Sequence, residues 1–251
     1  MIPVRLFASD LDGTLIGKPD ATRRFRLAWD SLTAENKPVL CYNTGRLVRD
    51  VLQLIENTDL PRPDYIIGGV GTQIFEFTNK ASLKKFSEIM EEGWDKTKVE
   101  EIMSEMAQTR RQPPQYQHRY KSSWYWSEAR PEDIQGLEDR LREAGMTVHV
   151  IYSSNRDLDI LPKMANKGNA LMWLLDHIGI AKDQVLVAGD TGNDSAMFLV
   201  PGVRGVLVEN AQPELIERTL AAQTFQAEGV CADGVIEGLM HYGVLQNVPE
   251  L

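Results

Sequence analysis

The chain has 251 residues, 43% hydrophobic and 25% charged, with a net charge of −9 at neutral pH. That balance argues against a general nucleic-acid binder, which neutralises phosphates with surplus Lys and Arg, and no apolar run is long enough to span a bilayer. The two cysteines, Cys41 and Cys231, suggest neither a disulfide framework nor a metal site, and the opening residues lack a signal-peptide pattern; a cytoplasmic protein without nucleic-acid or membrane partners is expected.

Leu6-Phe7-Ala8 predicts a first strand, and Val39-Leu40-Cys41-Tyr42, Tyr65-Ile66-Ile67, Val185-Leu186-Val187-Ala188 and Gly205-Val206-Leu207-Val208 predict four more. Nearly unbroken apolar runs are what strands covered on both faces require. Helical patterns over Arg46 to Ile55, Lys167 to Ile178, Ser195 to Leu199 and Pro213 to Ala222 lie among them. The fold class is therefore α/β, a doubly wound parallel sheet. The middle differs: a charged helical stretch through Met106, a Pro113-Pro114 break, an aromatic-rich segment Tyr116 to Trp126, a helix over Pro131 to Ala144 and an alternating run Met146 to Tyr152. This predicts an inserted α+β domain over 79–157, with core segments 1–78 and 158–251 and hinges near Phe77 to Asn79 and Arg156 to Asp159.

Chemistry gathers where predicted strands end, the ligand-binding edge of such sheets. In Ser9-Asp10-Leu11-Asp12-Gly13-Thr14, two carboxylates reach one site only if the chain leaves extended geometry near Leu11, a turn that Gly13 permits. Asp10 is the candidate nucleophile towards phosphorus and Asp12 the acid/base group. Asn43-Thr44-Gly45-Arg46 offers a hydroxyl and free N–H groups at a helix start, an anion site that reads equally as a Thr N-cap. Lys167, opening a helix, is preferred to Lys163 as the fixed cation. In Gly189-Asp190-Thr191-Gly192-Asn193-Asp194 the acids suit a hard cation such as Mg2+, with Asp10, the Asp12 carbonyl and Asp190 as inner ligands and Asp194 either inner or one step removed. Each acidic motif alone also reads as a turn cap.

In order and spacing, Asp10-x-Asp12-Gly13-Thr14, Thr44, Lys167 and Gly189-Asp190-x-x-Asn193-Asp194 together resemble the haloacid dehalogenase superfamily of phosphatases. The resemblance implies a Rossmann-like core with an inserted cap, and catalysis by Asp10, Asp12, Thr44 and Lys167 with Mg2+ held through Asp10, Asp12, Asp190 and Asp194. The dehalogenases themselves lack the acid that Asp12 matches. Tyr65 to Thr72, Tyr116-Gln117-His118, Lys121-Ser122-Ser123-Trp124 and Arg156 to Lys163 resemble the sucrose-phosphatase family. That implies a phosphorylated disaccharide as substrate, of the sucrose-6-phosphate or mannosylfructose-6-phosphate type. Thr44, Gly45 and Arg46 would bind its phosphate, Lys121 and Ser122 its sugar, with Ser153 and Asn155 behind them. His118 is expected to make a structural hydrogen bond. Another sugar phosphate or a glycosyl-phosphoglycerate as substrate, phosphomutase chemistry, and a non-catalytic sugar-phosphate-binding partner of a synthase are the competing readings. A complex with a sugar-phosphate synthase is compatible with all of them.

Overall fold

The computed structural model describes residues 2–246. The first segment forms β1 (Leu6–Ser9), α1 (Pro19–Asp30), β2 (Val39–Asn43), α2 (Val48–Asn57), β3 (Tyr65–Gly68), β4 (Gln73–Glu76), β5 (Ala81–Ser82) and α3 (Lys84–Ile89). Next come α4 (Lys96–Ser104), β6 (Arg110–Arg111), β7 (Ser122–Tyr125), α5 (Pro131–Glu143), β8 (Val148–Ser153) and β9 (Asp157–Pro162). The chain ends with α6 (Lys167–Ile178), β10 (Val185–Gly189), α7 (Ser195–Phe198), β11 (Arg204–Leu207), α8 (Pro213–Arg218), β12 (Gln223–Gln226) and α9 (Ala232–His241). Among the described residues no helix is long and apolar enough to cross a membrane.

The large sheet runs β12-β11-β10-β1-β2-β3-β4-β5, parallel from β12 to β3 and antiparallel beyond. From β1 the chain winds outward through β2 and β3, and from β10 it winds the other way through β11 and β12. The reversal falls between β1 and β10, so their carboxyl ends open the crevice where such sheets bind ligands. The apolar runs are unbroken because alternate residues feed different cores. Leu6, Ala8, Val185 and Val187 pack with Leu171 and Leu174 of α6, whereas Phe7, Leu186 and Ala188 pack with Phe25 and Trp29 of α1 and Val235 and Leu239 of α9.

Residues 94–162 build the predicted insertion as a four-stranded sheet, β6-β7-β9-β8. Its inner face, with Trp124, Leu158 and Ile160, buries Val99 and Met103 of α4 and Leu137 and Leu141 of α5. Both expected boundaries fall too early. β5 still pairs with β4, and Phe86 and Met90 belong to the main core, so the outgoing crossing lies after Met90 rather than at 78/79. All of β9 belongs to the smaller sheet, so the return lies after Pro162 rather than at 157/158, and the expected hinge at Arg156 to Asp159 becomes a turn and a strand.

The cap sits on the core through a polar seam. Arg49 Nη2 of α2 donates to the Gln115 carbonyl at 2.7 Å, and the Gln73 amide meets the His118 ring at 3.1 Å. Behind that seam, within the cap itself, Lys96 Nζ donates to the His118 carbonyl at 2.6 Å. Burial first, then Lys96, Arg49 and Arg119, push the His118 pKa down to about 4, so the ring is neutral near pH 7. A structural hydrogen bond is what the sequence leads one to expect of this histidine.

Candidate active site

Past β1 the backbone folds on itself. The N–H groups of Leu15 and Ile16 both donate to Leu11 O, at 2.9 and 2.8 Å, and Gly13 N donates to Ile16 O at 2.9 Å. This is the expected departure from extended geometry at Leu11. Gly13 has φ +83°, and a Cβ there would stand 2.2 Å from Asp190 Oδ2. The close approach lets Thr14 Oγ1 donate to Asp190 Oδ1 at 2.9 Å and joins the ends of β1 and β10. Gly13→Ala is therefore expected to displace Asp190 and lower turnover by about a hundredfold, with a fall in melting temperature; a variant with wild-type turnover would contradict this.

Lys167, the first residue of α6, is set by Asn166, whose side chain caps the helix by accepting from Asn169 N at 2.7 Å. Its ammonium, fully buried, donates to Asp10 Oδ1 at 2.6 Å and to Asp194 Oδ1 at 2.5 Å. The other Asp194 oxygen accepts from the N–H groups of Asp190 and Thr191, both at 3.0 Å. Asp194 thus ties Lys167 to the loop after β10. Burial would lower the lysine, but Asp10 and Asp194 outweigh it and hold the ammonium above its ordinary pKa. Burial pushes the Asp10 carboxyl well above the usual range against the pull of Lys167, and burial together with Asp194 pushes Asp190 up to about 6.

Oxygen atoms of Asp10, Asp190 and Asp194 lie within 4.8 Å of one another, so three buried carboxylates face one ammonium. Such a surplus of negative charge, presented by hard oxygen donors, fits a divalent cation. The Asp12 carboxylate stands outside this cluster.

The turn expected to face the phosphate follows β2. Thr44 N is taken by Ile67 O at 2.9 Å, and Thr44 Oγ1 accepts from Arg46 N at 3.2 Å, which leaves the hydroxyl proton available to a ligand. The Arg46 guanidinium grips Asp12 with two hydrogen bonds, of 2.7 and 2.6 Å. Asp10, Asp12, Thr44, Gly45 and Arg46 all line a cleft of about 780 Å3 between core and cap.

From the cap, Lys121 and Asp159 line the same cleft as an ion pair whose lysine is buried and whose aspartate is partly exposed, and Ser123 Oγ accepts from Lys121 Nζ at 2.6 Å. Ser122 is the exception among the expected site residues. It is fully buried on the opposite face of β7, where its hydroxyl accepts from Trp124 Nε1 at 2.8 Å. Strand alternation decides this: residues 121, 123 and 125 face the cleft, while 122 and 124 face the cap core. Ser153 reaches the wall; Asn155 instead has its side-chain oxygen engaged by the Tyr152 hydroxyl at 3.3 Å. Sequence reasoning misses Asp157 and Asp159, although their alternation with Leu158 and Ile160 marks a strand with one polar face. It also misses Gln53 and Asn57, which line the cleft from α2 and stand one helical turn apart.

Fold and site together define a capped phosphoryl-transfer enzyme of the haloacid dehalogenase type. The sequence profile of the sucrose-6F-phosphate phosphohydrolase family matches residues 3–243, and the chain belongs to that family. It is 45% identical to mannosylfructose-phosphate phosphatase of Agrobacterium fabrum, over 97% of this chain and 99% of that one. It is 33% identical to sucrose-phosphatase 1 of Nicotiana tabacum over 96% of its own length, and spans 60% of the tobacco protein. The crystal structure of the sucrose-phosphatase from Synechocystis, in complex with sucrose and phosphate, superposes with a TM-score of 0.87 at 31% identity, covering 96% of this chain and 98% of that one.

Proposed function

We propose that this protein hydrolyses a phosphorylated disaccharide, with Mg2+ held by Asp10, Asp190, Asp194 and the Asp12 carbonyl, through an aspartyl-phosphate on Asp10. The observation that carries the reading is the Lys167 ammonium bound to both Asp10 and Asp194 beside Asp190, with Asp10 lining a cap-covered cleft. Bound there, the cation offsets repulsion between an anionic nucleophile and an anionic phosphate and polarises the phosphoryl oxygens.

One Asp10 oxygen forms the bond to phosphorus as the sugar oxygen leaves, and Asp12 gives that oxygen its proton. Asp12 then takes a proton from the attacking water, whose oxygen bonds to phosphorus as the bond to Asp10 breaks. Lys167, the Thr44 hydroxyl and the Gly45 N–H hold the phosphoryl oxygens throughout. Asp12 can donate only with a proton on one oxygen, so its pair with Arg46 must open first. An incoming phosphate is the anion that draws the guanidinium away. Lys121 and Asp159 offer a donor and an acceptor to sugar hydroxyls, and the cap excludes water while the ester is cleaved.

Phosphate release from sucrose-6-phosphate, mannosylfructose-6-phosphate, fructose-6-phosphate and glucose-6-phosphate tests the reading: a disaccharide phosphate is expected to give the highest kcat/KM. Equal rates on the hexose phosphates would remove the disaccharide assignment, and no release from any would remove the phosphatase one. A sugar-phosphate synthase is the corresponding partner, to be sought by co-migration.

Metal binding should depend on pH. A carboxyl raised to about 6, as Asp190 is, carries a proton below that value and cannot ligate a cation while it does. The Mg2+ concentration for half-maximal activity is therefore expected to climb as pH falls through about 6, by roughly tenfold per unit from Asp190 alone and more steeply where Asp10, whose carboxyl is also raised, takes up a proton too. A flat Mg2+ requirement across that pH would contradict the assignment of Asp190.

A further inference from the structure

The loop after β3, Gly68-Gly69-Val70-Gly71-Thr72, has the least relaxed backbone in the cleft wall. Three successive residues are left-handed, with φ of +59° at Gly69, +57° at Val70 and +84° at Gly71. Glycine accepts such angles, but a β-branched residue there is strained and persists only where its surroundings over-determine it. Val70 is buried and lines the cleft. Glycine would relax the backbone, so the valine side chain must be contributing something that glycine lacks.

Its contacts indicate what. Gly69 N donates to Arg46 O at 2.7 Å and Val70 N to Thr44 O at 3.1 Å, so the loop grips the two carbonyls that flank Gly45. Val70 Cγ2 lies 3.8 Å from the position a Cβ would take on Gly45. On the loop's other side, Gly71 packs on the Asn166 backbone so closely that a Cβ would be 2.3 Å from Asn166 O. Asn166 is the N-cap that sets Lys167. One short loop therefore touches both elements that present donors to the phosphoryl group.

We propose that Val70 is a positioning residue for phosphate binding. Its left-handed backbone spaces the Thr44–Arg46 turn against the start of α6, and its side chain packs over Gly45. The Gly45 N–H, the Thr44 hydroxyl and the Lys167 ammonium then converge on one phosphoryl group. The inference rests on the phosphatase reading and deepens it.

Calorimetric titration of the Mg2+-loaded protein with inorganic phosphate, and of the metal-free protein with Mg2+, tests the proposal on wild type, Val70→Gly and Val70→Ala. Val70→Gly relaxes the backbone and removes the side chain; Val70→Ala keeps a side chain at the strained φ but trims it, and it carries the test if the glycine variant does not fold. Phosphate affinity is expected to fall on the order of tenfold in Val70→Gly and less in Val70→Ala, with Mg2+ affinity unchanged. Unchanged phosphate affinity in the variants overturns the proposal, and so does a parallel loss of Mg2+ affinity, which marks general loosening. A wild-type protein that binds no phosphate defeats the phosphatase reading, and this inference with it.

Discussion

Asp10→Asn is expected to cut phosphate release by roughly a thousandfold or more, because an amide does not displace at phosphorus and the hydrolytic route through an enzyme ester is closed. The same substitution should leave the metal-free protein as stable as wild type or more so. Burial holds the Asp10 carboxyl well above its ordinary pKa, so the ionised form is disfavoured in the fold, and a neutral amide removes that cost. Phosphate assays and thermal melts with and without Mg2+ read the two effects separately. Near-wild-type turnover would take the nucleophile away from Asp10, and a large fall in metal-free stability would show that its charge is a net asset.

Lys167→Met has the opposite profile, with both activity and stability lost. The change nearly conserves volume but leaves Asp10 and Asp194 buried without the ammonium that each contacts. Removing one partner of a buried ion pair typically costs about 3–5 kcal/mol, since an uncompensated charge stays behind. Proton uptake by the carboxylates tempers this as pH falls, so the deficit should be larger in mildly alkaline than in mildly acidic buffer. Adding Asp10→Asn to Lys167→Met is expected to recover part of the stability and none of the activity. Chemical denaturation of the two single variants and the double variant closes the cycle; strictly additive losses would mean that the two side chains act independently despite their 2.6 Å contact.

The elements and site residues that the sequence discloses are those whose signals are local. Helix α6 matches the expected span, Lys167–Ile178, because Asn166 caps its start and the left-handed Gly179 ends it. Asp10, Thr44, Lys167 and Asp190 stand at strand ends or a helix start, where short motifs carry their own geometry. Helix α1 is hidden: its many charges mask Ala21, Phe25, Ala28 and Trp29, which recur at helical spacing and are all buried. Helix α9 and strands β4, β5 and β12 likewise escape a reading of the sequence. Ser122 is misplaced for a different reason. Choosing between Ser122 and Ser123 requires strand register, and a shift of one residue exchanges the cleft for the cap core. The outgoing boundary falls wrongly because β5 pairs with β4 and Phe86 and Met90 join the main core, and the return boundary because β9 pairs with the distant β7, a partnership invisible in its own residues.

The seam between core and cap includes a main-chain carbonyl acceptor, that of Gln115, and an imidazole that does not ionise near neutrality. Contacts of this kind do not change charge on modest acidification of their surroundings. Acidity that protonates Asp190, whose carboxyl is raised to about 6, would thus reach the acidic cluster while leaving the docking of the cap on the core unchanged.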